Sequence, residues 1–276
     1  MNSSNHLHDL PSGVPIFIGR QEFIVEYAAG KNVLHLGCVD EGLTEQKYRA
    51  GMLLHDRLQR VAKTLYGVDI DKAGLDWMRA HGCSNLIHAD IENVASIPEI
   101  AQVEFDLILL PEVLEHLNNP GRFLASVRPL FRPQTELIIT VPNSSGLTHL
   151  IPLYMGKEHV HPDHNYWFSY HTLKGLVGKH GYEVSETAVY CQYNFRRSIL
   201  GHLRKKIIGV AVHAPVVGPS PGDLQPPVRG KSRKIRVGAW IRVTLTTLIY
   251  RFFLKRNPFF ADGLIMTIRP VNKPKD

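Results

Sequence analysis

The chain has 276 residues, of which 44% are hydrophobic and 21% are charged, as in a globular protein with one sizeable core. Its three cysteines are odd in number and form no CxxC pair, so the sequence indicates neither a disulfide framework nor a thiolate zinc site and favours a reducing compartment. The polar N-terminus does not read as a signal peptide, and no apolar run reaches the roughly 18 residues of a membrane-spanning helix.

The elements are predicted from alternating apolar strands and helical patterns. Such alternation is typical of βαβ units, and it predicts an α/β fold with a doubly wound, mostly parallel sheet. The carboxyl ends of parallel strands then share one edge, where ligands of such sheets bind. We predict strands at residues 31–37, 65–70, 86–90, 105–110 and 136–141, from 182 onward and at 263–268, with helices at about 44–63, 71–81, 120–130 and 171–180.

The formal net charge of +7 comes from one segment. Residues 196–256 hold 14 Lys or Arg and a single acid, Asp223, whereas the rest of the chain is net acidic. We therefore divide the chain into a lead-in (1–30), one domain (31–195 with 257–276) and a basic, apolar-rich insertion (196–256). Within the insertion, 215–230 is rich in Pro and Gly, 231–236 is a charge run, and 237–254 is apolar but interrupted by arginines.

Three strand ends carry residues suited to a nucleoside. Gly37 follows the first predicted strand, where a glycine lets backbone N–H groups approach a polar ligand. Asp69 ends the second strand and can accept hydrogen bonds from a ribose diol. Asp90 ends the third and can accept from an exocyclic amine. Any one of these residues is a weak signal, but three in succession outline a nucleoside pocket.

Five segments occur along the chain in the order VLHLGC, YGVDID, HADIE, FDLILLPEVLEHLNNPGRFL and ELIITVPN. Together they resemble the class I S-adenosylmethionine-dependent methyltransferases. The PEVLEHL segment is the most specific part and is similar to the group that contains quinone-biosynthesis and glycan-modifying O-methyltransferases. The resemblance covers roughly residues 31–184 and the last strand, and it implies a Rossmann-like methyltransferase fold.

The resemblance also implies the cofactor, S-adenosylmethionine. It puts Gly37 beside the methionine moiety and Asp69 at the ribose. Asp90 with Ile91 would frame the adenine, and Glu112 with the residues after it would form the floor near the sulfonium. The full implied set is Gly37, Cys38, Asp69, Ile70, Asp90, Ile91, Pro111, Glu112 and His116.

Two positions depart from the family pattern. His35 stands where an acidic residue is usual, and Val39 stands where a second glycine is usual. These two departures imply either a different cofactor loop or weaker cofactor binding. They therefore motivate an alternative function of another class, a non-catalytic binding module. A Rossmann dehydrogenase would need GxGxxG after the first strand, and GCVDEG lacks the middle glycine.

The histidine-rich stretch at residues 158–168 follows the fifth strand, where the acceptor loop of the family lies. Methyl transfer to a hydroxyl needs a group that removes its proton. We predict that His164 is this general base, helped by Asp163, with His161 next in line. The histidines could instead be solvated or, as the third choice, ligate a metal, so no metal site is predicted.

We predict that the methyl acceptor is an oxygen on a glycan or lipid-linked saccharide, with a quinone-precursor or phenolic hydroxyl as the alternative.

A basic cluster beside Trp, Phe, Leu and Ile is typical of an interfacial helix, so segment 196–256 is expected to meet an anionic membrane surface. Packing of 237–254 on the core is the competing interpretation, and nucleic acid is disfavoured because no nucleic-acid module is present. The expected location is cytoplasmic, with peripheral attachment at the inner membrane face.

Overall fold

The computed structural model describes residues 6–192, 248 and 250–271. Their core element is an eight-stranded sheet. The strands are β1 (Ile16–Ile18), β2 (Asn32–Leu36), β3 (Thr64–Asp69), β4 (Leu86–His88), β5 (Leu107–Pro111), β6 (Glu136–Pro142), β7 (Tyr182–Cys191) and β8 (Gly263–Pro270). The α-helices are α1 (Arg20–Tyr27), α2 (Thr44–Arg49), α3 (Leu54–Gln59), α4 (Lys72–Ala80), α5 (Pro120–Val127), α6 (Leu147–Tyr154) and α7 (Tyr170–Lys179), and residues 250–256 are also helical.

The strand order is β1-β7-β8-β6-β5-β2-β3-β4. Neighbouring strands are parallel except β8, which is antiparallel to both β6 and β7. The predicted doubly wound, mostly parallel sheet is thereby confirmed. Because the chain runs from β2 outward to β4 and then returns to β5 on the other side of β2, the crevice at the carboxyl ends of β2 and β5 is the topological switch point.

The central strands are buried on both faces of the sheet. All five residues of β5 are buried, as are four of the five in β2. Helices cover both faces of a doubly wound sheet, which explains why these strands read as continuous apolar runs rather than as alternating patterns. This continuity is what made the strands detectable in the sequence.

The predicted helix over residues 44–63 is wrong as a single element. Gly51 adopts φ 66°, and the N–H groups of Met52 and Leu53 turn back to the carbonyl of Lys47, so α2 ends there and α3 starts separately. Three further elements, β1, α1 and α6, were not predicted. Helix α5 passes into a 3₁₀ turn at Arg128–Leu130, where Pro129 cannot continue an α-helix.

Most of the basic insertion lies outside the described residues, including the features at 215–230 and 231–236 and all of 237–247. The end of the insertion packs on the domain, because Tyr250 and Leu254 are buried in the main hydrophobic core. Within the described ranges, no helix combines the length and the apolar character needed to cross a bilayer.

Asn143 ties the end of β6 to the chain segment that leads into β8. Its buried side-chain amide donates to the carbonyls of Phe259 (2.7 Å) and Ala261 (3.0 Å), and its backbone N–H donates to Asp262. Phe259 and Ala261 are themselves buried, so their carbonyls depend on this amide. The junction fixes where the acceptor side of the fold begins.

We expect Asn143→Ala to lower the free energy of unfolding by about 2–4 kcal/mol, since two buried carbonyls lose their donor. Urea denaturation of the two proteins measures the difference. The matched control is Asn118→Ala on the exposed turn before α5, which should stay within about 0.5 kcal/mol of the wild type. A loss no larger than that of the control would contradict the assigned role of Asn143.

Candidate active site

The turn after β2 approaches the turn after β5 more closely than a side chain would allow. Gly37 has φ 71°, and a Cβ at this position would overlap the Cγ2 of Val113. The N–H of Gly37 donates to the carbonyl of Val68 on β3 (2.8 Å). The predicted glycine turn therefore lies at the switch point, with its backbone next to the end of β5.

Asp69 joins the loops that follow β2 and β3. Its carboxylate accepts the N–H of Val39 at 2.8 Å and the N–H of Asp71 at 2.9 Å. Burial raises the pKa of Asp69, and the two backbone donors act in the opposite direction by stabilising its charge. The buried carboxylate is thus preorganised at the edge where the sequence placed a ribose.

Val39 and His35, the two departures from the family pattern, both have structural partners. The side chain of Val39 lies against Gly74 of α4, where a Cβ would overlap it. His35 is buried, and its Nδ1 lies 3.3 Å from the Nδ1 of His55 on α3. One imidazole must donate while the other accepts, so the two rings are in opposite tautomers.

The histidine pair is uncharged. Burial lowers the pKa of His35 to about 3, and it also lowers the pKa of His55 far below its usual value. Arg20 acts in the same direction on His35, and His35 acts so on His55. A neutral pair therefore replaces the usual acid beneath the cofactor loop, and the sequence had not singled out His55.

The end of β4, the third predicted strand end, combines polar and apolar side chains. Asp90 follows β4, is exposed and caps the next 3₁₀ turn by accepting the N–H of Glu92 (2.9 Å). Ile91 is buried, whereas Ile70 exposes 71% of its surface beside the buried Asp69. An exposed apolar side chain next to a buried carboxylate suits a nucleoside, with the base on the apolar surface and the sugar hydroxyls at the acid.

Glu112 lies where the cofactor edge meets the acceptor side. It follows β5 with φ 57°, a left-handed conformation that is uncommon for a residue with a side chain. Its N–H donates to the carbonyl of Thr140, and its carboxylate accepts from the Thr140 hydroxyl, both at 2.9 Å. Pro111, the preceding residue, is buried at the end of β5. Strain of this kind is found at functional sites.

Arg20, at the start of α1, was missed by the sequence analysis. Its Nη1 lies 4.0 Å from the carboxylate of Glu112, and its guanidinium lies over the ring of Tyr190. Burial opposes the charge of Arg20, but Glu112 and the other neighbouring acidic groups outweigh that effect and raise its pKa. No local motif marks Arg20, because Glu112 and Tyr190 are both more than 90 positions away in the sequence.

Glu115 connects the turn after β5 with the acceptor loop. Its buried carboxyl has no hydrogen-bond partner, and burial together with the charge of Glu112 raises its pKa to about 9, so it is protonated at neutral pH. Its backbone carbonyl accepts the N–H of Asn165 (2.8 Å) and of Tyr166 (3.2 Å). These bonds hold the histidine-rich loop over the turn.

Three histidines converge at this point. His116, His161 and His164 have nitrogen atoms that all lie within 4.8 Å of one another. Burial lowers the pKa of His164, and the imidazoles of His116 and His161 act in the same direction. Asp163 lies 3.6 Å from His161 rather than pairing with His164. The group fits a neutral imidazole acting as base, and the same spacing would suit one divalent ion with three imidazole ligands.

A cavity of about 570 Å³ opens from Glu112 toward α6. This volume is within the range of about 300–1,000 Å³ that small-molecule sites occupy. Half of its lining residues carry imidazole or aromatic rings, among them His149, His159, His161, His164 and Trp167. Cys38, which the resemblance assigned to the cofactor, is buried and does not line this cavity.

The sheet order, the glycine turn and the acids at successive strand ends define an S-adenosylmethionine-dependent methyltransferase of class I. The family model described as a methyltransferase domain matches residues 20–187. The chain belongs to this methyltransferase-domain family. The assignment favours an enzyme over the binding-module alternative.

The curated relatives include ubiquinone biosynthesis O-methyltransferases. The protein from Hahella chejuensis is 29% identical over 146 residues, which cover 51% of this chain and 56% of the relative. The protein from Nitrosococcus oceani is 27% identical over 145 residues, with the same shares covered. The chain thus spans about half the length of the curated relatives it matches.

Solved structures with a similar chain include a SAM-dependent methyltransferase from Archaeoglobus fulgidus, with 17% identity and a TM-score of 0.48. That match covers 91% of this chain and 94% of the other. A methyltransferase from Mesorhizobium loti has 12% identity and a TM-score of 0.46, covering 91% and 98%.

The residues present fit S-adenosylmethionine, the cofactor of this class. The glycine turn leaves backbone accessible at Gly37, the Asp69 carboxylate is fixed by backbone donors, and Ile70 offers an apolar surface. We therefore expect Asp69→Ala to weaken binding of S-adenosylmethionine and S-adenosylhomocysteine by at least about tenfold in isothermal titration. The control is Asp76→Ala on the exposed face of α4, which should bind like the wild type. Equal affinity of the folded Asp69 variant would show that the ribose lies elsewhere.

The neutral histidine pair predicts acid sensitivity. The unfolded chain binds protons at His35 near pH 6.5, whereas the folded chain resists protonation down to about pH 3. The free energy of unfolding should therefore be unaffected by this residue above pH 6.5. It should fall by about 1.4 kcal/mol per pH unit as the pH drops from 6.5 toward 3.

Denaturation at several pH values checks this expectation in His35→Leu/His55→Leu, which removes both imidazoles but keeps apolar volume. The slope between pH 6.5 and 3 should flatten in this variant and stay unchanged in His8→Asn, an exposed control. An unchanged slope in the double variant would mean that the pair is not neutral in the folded protein.

Proposed function

We propose that the chain transfers a methyl group from S-adenosylmethionine to a phenolic hydroxyl of a quinone precursor, with His164 as the general base. The observation that carries this proposal is the cavity beside Glu112, in which His164 stands among imidazole and aromatic rings. The cavity adjoins the cofactor edge, so an acceptor there would lie next to the methyl donor.

The lining of the cavity favours an aromatic acceptor over the glycan or lipid-linked saccharide expected from the sequence. Trp167 and Tyr166 provide ring faces, and Pro142, Val160 and Pro162 add apolar surface. A saccharide needs many hydrogen-bond partners, whereas a phenol needs apolar contact and one partner for its hydroxyl. The relatives named for ubiquinone biosynthesis support the same acceptor class.

The cofactor supplies an electrophilic methyl group on a positively charged sulfur. The protein must then align the acceptor oxygen in line with that methyl and take up the phenolic proton. His164 is suited to the second task because burial and the neighbouring imidazoles lower its pKa and keep a nitrogen free of its proton at neutral pH. The bonds from Asn165 and Tyr166 to Glu115 hold the loop that carries it.

Helix α6 forms one side of the cavity through Thr148 and His149. His149 of α6 packs edge to face on Trp167, with ring centroids 4.6 Å apart, and its Nδ1 contacts the carbonyl of His159 (2.8 Å). These contacts orient Trp167 as one wall for the phenol ring. Asp163, paired with His161, supports the neighbouring imidazole rather than the base itself.

Replacing His164 with Ala should lower turnover of a soluble phenolic acceptor by about 10²- to 10⁴-fold, the usual contribution of a general base. Affinity for S-adenosylmethionine, measured by titration, should be unchanged, and His8→Ala serves as the exposed control. Turnover that survives the substitution would move the role to His161 or His116. Loss of turnover on chelation, with recovery on adding a divalent ion, would assign the three imidazoles to a metal instead.

A further inference from the structure

We propose that His149 is a specificity-determining residue of the acceptor cavity, whose Nε2 accepts a hydrogen bond from a second polar group of the acceptor. The inference rests on the proposed function, because it concerns the same acceptor in the same cavity. It adds a requirement to that function. The acceptor must carry an O–H or N–H donor besides the hydroxyl that is methylated.

A backbone carbonyl fixes the position of the proton on the His149 ring. The Nδ1 of His149 lies 2.8 Å from the carbonyl oxygen of His159. A carbonyl oxygen can only accept a hydrogen bond, so Nδ1 carries the proton and donates it. Burial lowers the pKa of His149, which keeps the ring neutral at pH 7. The lone pair is therefore on Nε2, and this nitrogen is an acceptor.

The Nε2 of His149 is not used by the protein itself. Among the residues that the structure describes, the hydrogen bond of the His149 ring is the one made by Nδ1, and none reaches Nε2. The ring is only half-buried, and it lines the cavity. An acceptor nitrogen on the wall of a small-molecule cavity is of the kind that fixes the orientation of a ligand.

The ring of His149 is also held in place before any ligand arrives. It stacks on the ring of His159 with centroids 5.3 Å apart, and it packs edge to face on Trp167 at 4.6 Å. The Nδ1 of His159 donates in turn to the carbonyl of Thr148 at 3.2 Å. A side chain that is already ordered loses little conformational entropy when it binds a ligand, so its hydrogen bond contributes more fully to selectivity.

The second polar group can belong to the same aromatic ring as the methylated hydroxyl. His164, the proposed base, lines the same cavity as His149. Burial is the largest cause of the lowered pKa of His164, and the imidazole of His149 is among the nearby groups that add to it. The two histidines thus lie within electrostatic range of each other. His164 takes up the proton of one ring substituent while His149 holds another.

A purely structural role of His149 is the competing explanation, because its Nδ1 ties α6 to the loop at His159. The two nitrogens can be separated by substitution. The amide N–H of Asn can replace Nδ1–H but leaves no acceptor at the position of Nε2. The longer side chain of Gln can place its amide oxygen near the position of Nε2 but loses the donor at Nδ1.

The test compares catechol, resorcinol and hydroquinone, each with its own monomethyl ether, as acceptors. The ether keeps one hydroxyl and lacks the second donor. For the isomer that the wild type prefers most over its ether, we expect His149→Asn to lower the ratio of the two kcat/KM values by about three- to tenfold, the contribution of one hydrogen bond. The change should come from a higher KM for the diol. His149→Gln should keep a ratio closer to that of the wild type.

Comparing ratios removes effects that are common to both acceptors. Both variants lose the ring contact with Trp167, so turnover of diol and ether should fall together, and the ratio reports the contact of Nε2 alone. The matched control is His81→Asn. The Nδ1 of His81 also contacts a carbonyl (Trp77, 2.8 Å) and its ring stacks on a tryptophan, but it does not line the cavity. Its ratio should equal that of the wild type.

An unchanged ratio in folded His149→Asn would overturn the proposal, as would a wild type that prefers none of the diols over its ether. A ratio that falls in His149→Gln but not in His149→Asn would assign His149 to holding the loop only.

The same comparison can be made without turnover. Ligand-observed NMR with S-adenosylhomocysteine present gives the affinities of each diol and its ether for the wild type and for His149→Asn. If no phenol is methylated, the proposed function fails, yet a diol preference that His149→Asn removes would still establish the contact. If phenols are methylated and the preference is the same in both proteins, the function holds and the role of His149 is refuted.

Discussion

Gly37 and Val113 occupy a space that holds one side chain only, and the rest of the site depends on this contact. It brings the loop after β2 against the turn after β5, so the cofactor edge and the acceptor wall meet there. The same turn carries Glu112 in a left-handed conformation and Glu115, whose carbonyl anchors the histidine loop. The relative position of these two turns is thus set by close packing of the Gly37 backbone against the Val113 side chain.

The cost of burying ionisable groups around this turn is reduced in two ways. Arg20 keeps its charge beside the side chain of Glu112, which raises the pKa of the guanidinium, whereas Glu115 and the His35–His55 pair are neutral at pH 7. Neutral groups cost less to bury than unpaired ions. The floor of the site therefore adds little net charge near a positively charged cofactor, and the acid at Asp69 remains the fixed anion of the cofactor edge.

The sequence was sufficient to predict seven of the eight strands, because strands such as β2, β3 and β5 are apolar runs that end at or next to Gly37, Asp69 and Glu112. The sequence did not predict the features that depend on contacts between residues far apart in the chain. His55 and Arg20 have no local signal, since each gains its role from residues elsewhere in the chain. The break between α2 and α3 depends on the left-handed Gly51 within a helical pattern. The surface position of α6 could not be predicted, because an apolar helix on the surface has the same sequence pattern as one in the core.

Strand β8 is antiparallel to its neighbours, so the chain leaves β7 and enters β8 at the same edge of the sheet. Material of any length can be added between these two strands without changing the register of either. The residues that fix the cofactor, from Gly37 to Glu112, lie in an uninterrupted earlier stretch. Apart from Glu112, every residue that lines the cavity comes after this stretch, so the two sides of the site are formed by largely separate parts of the chain.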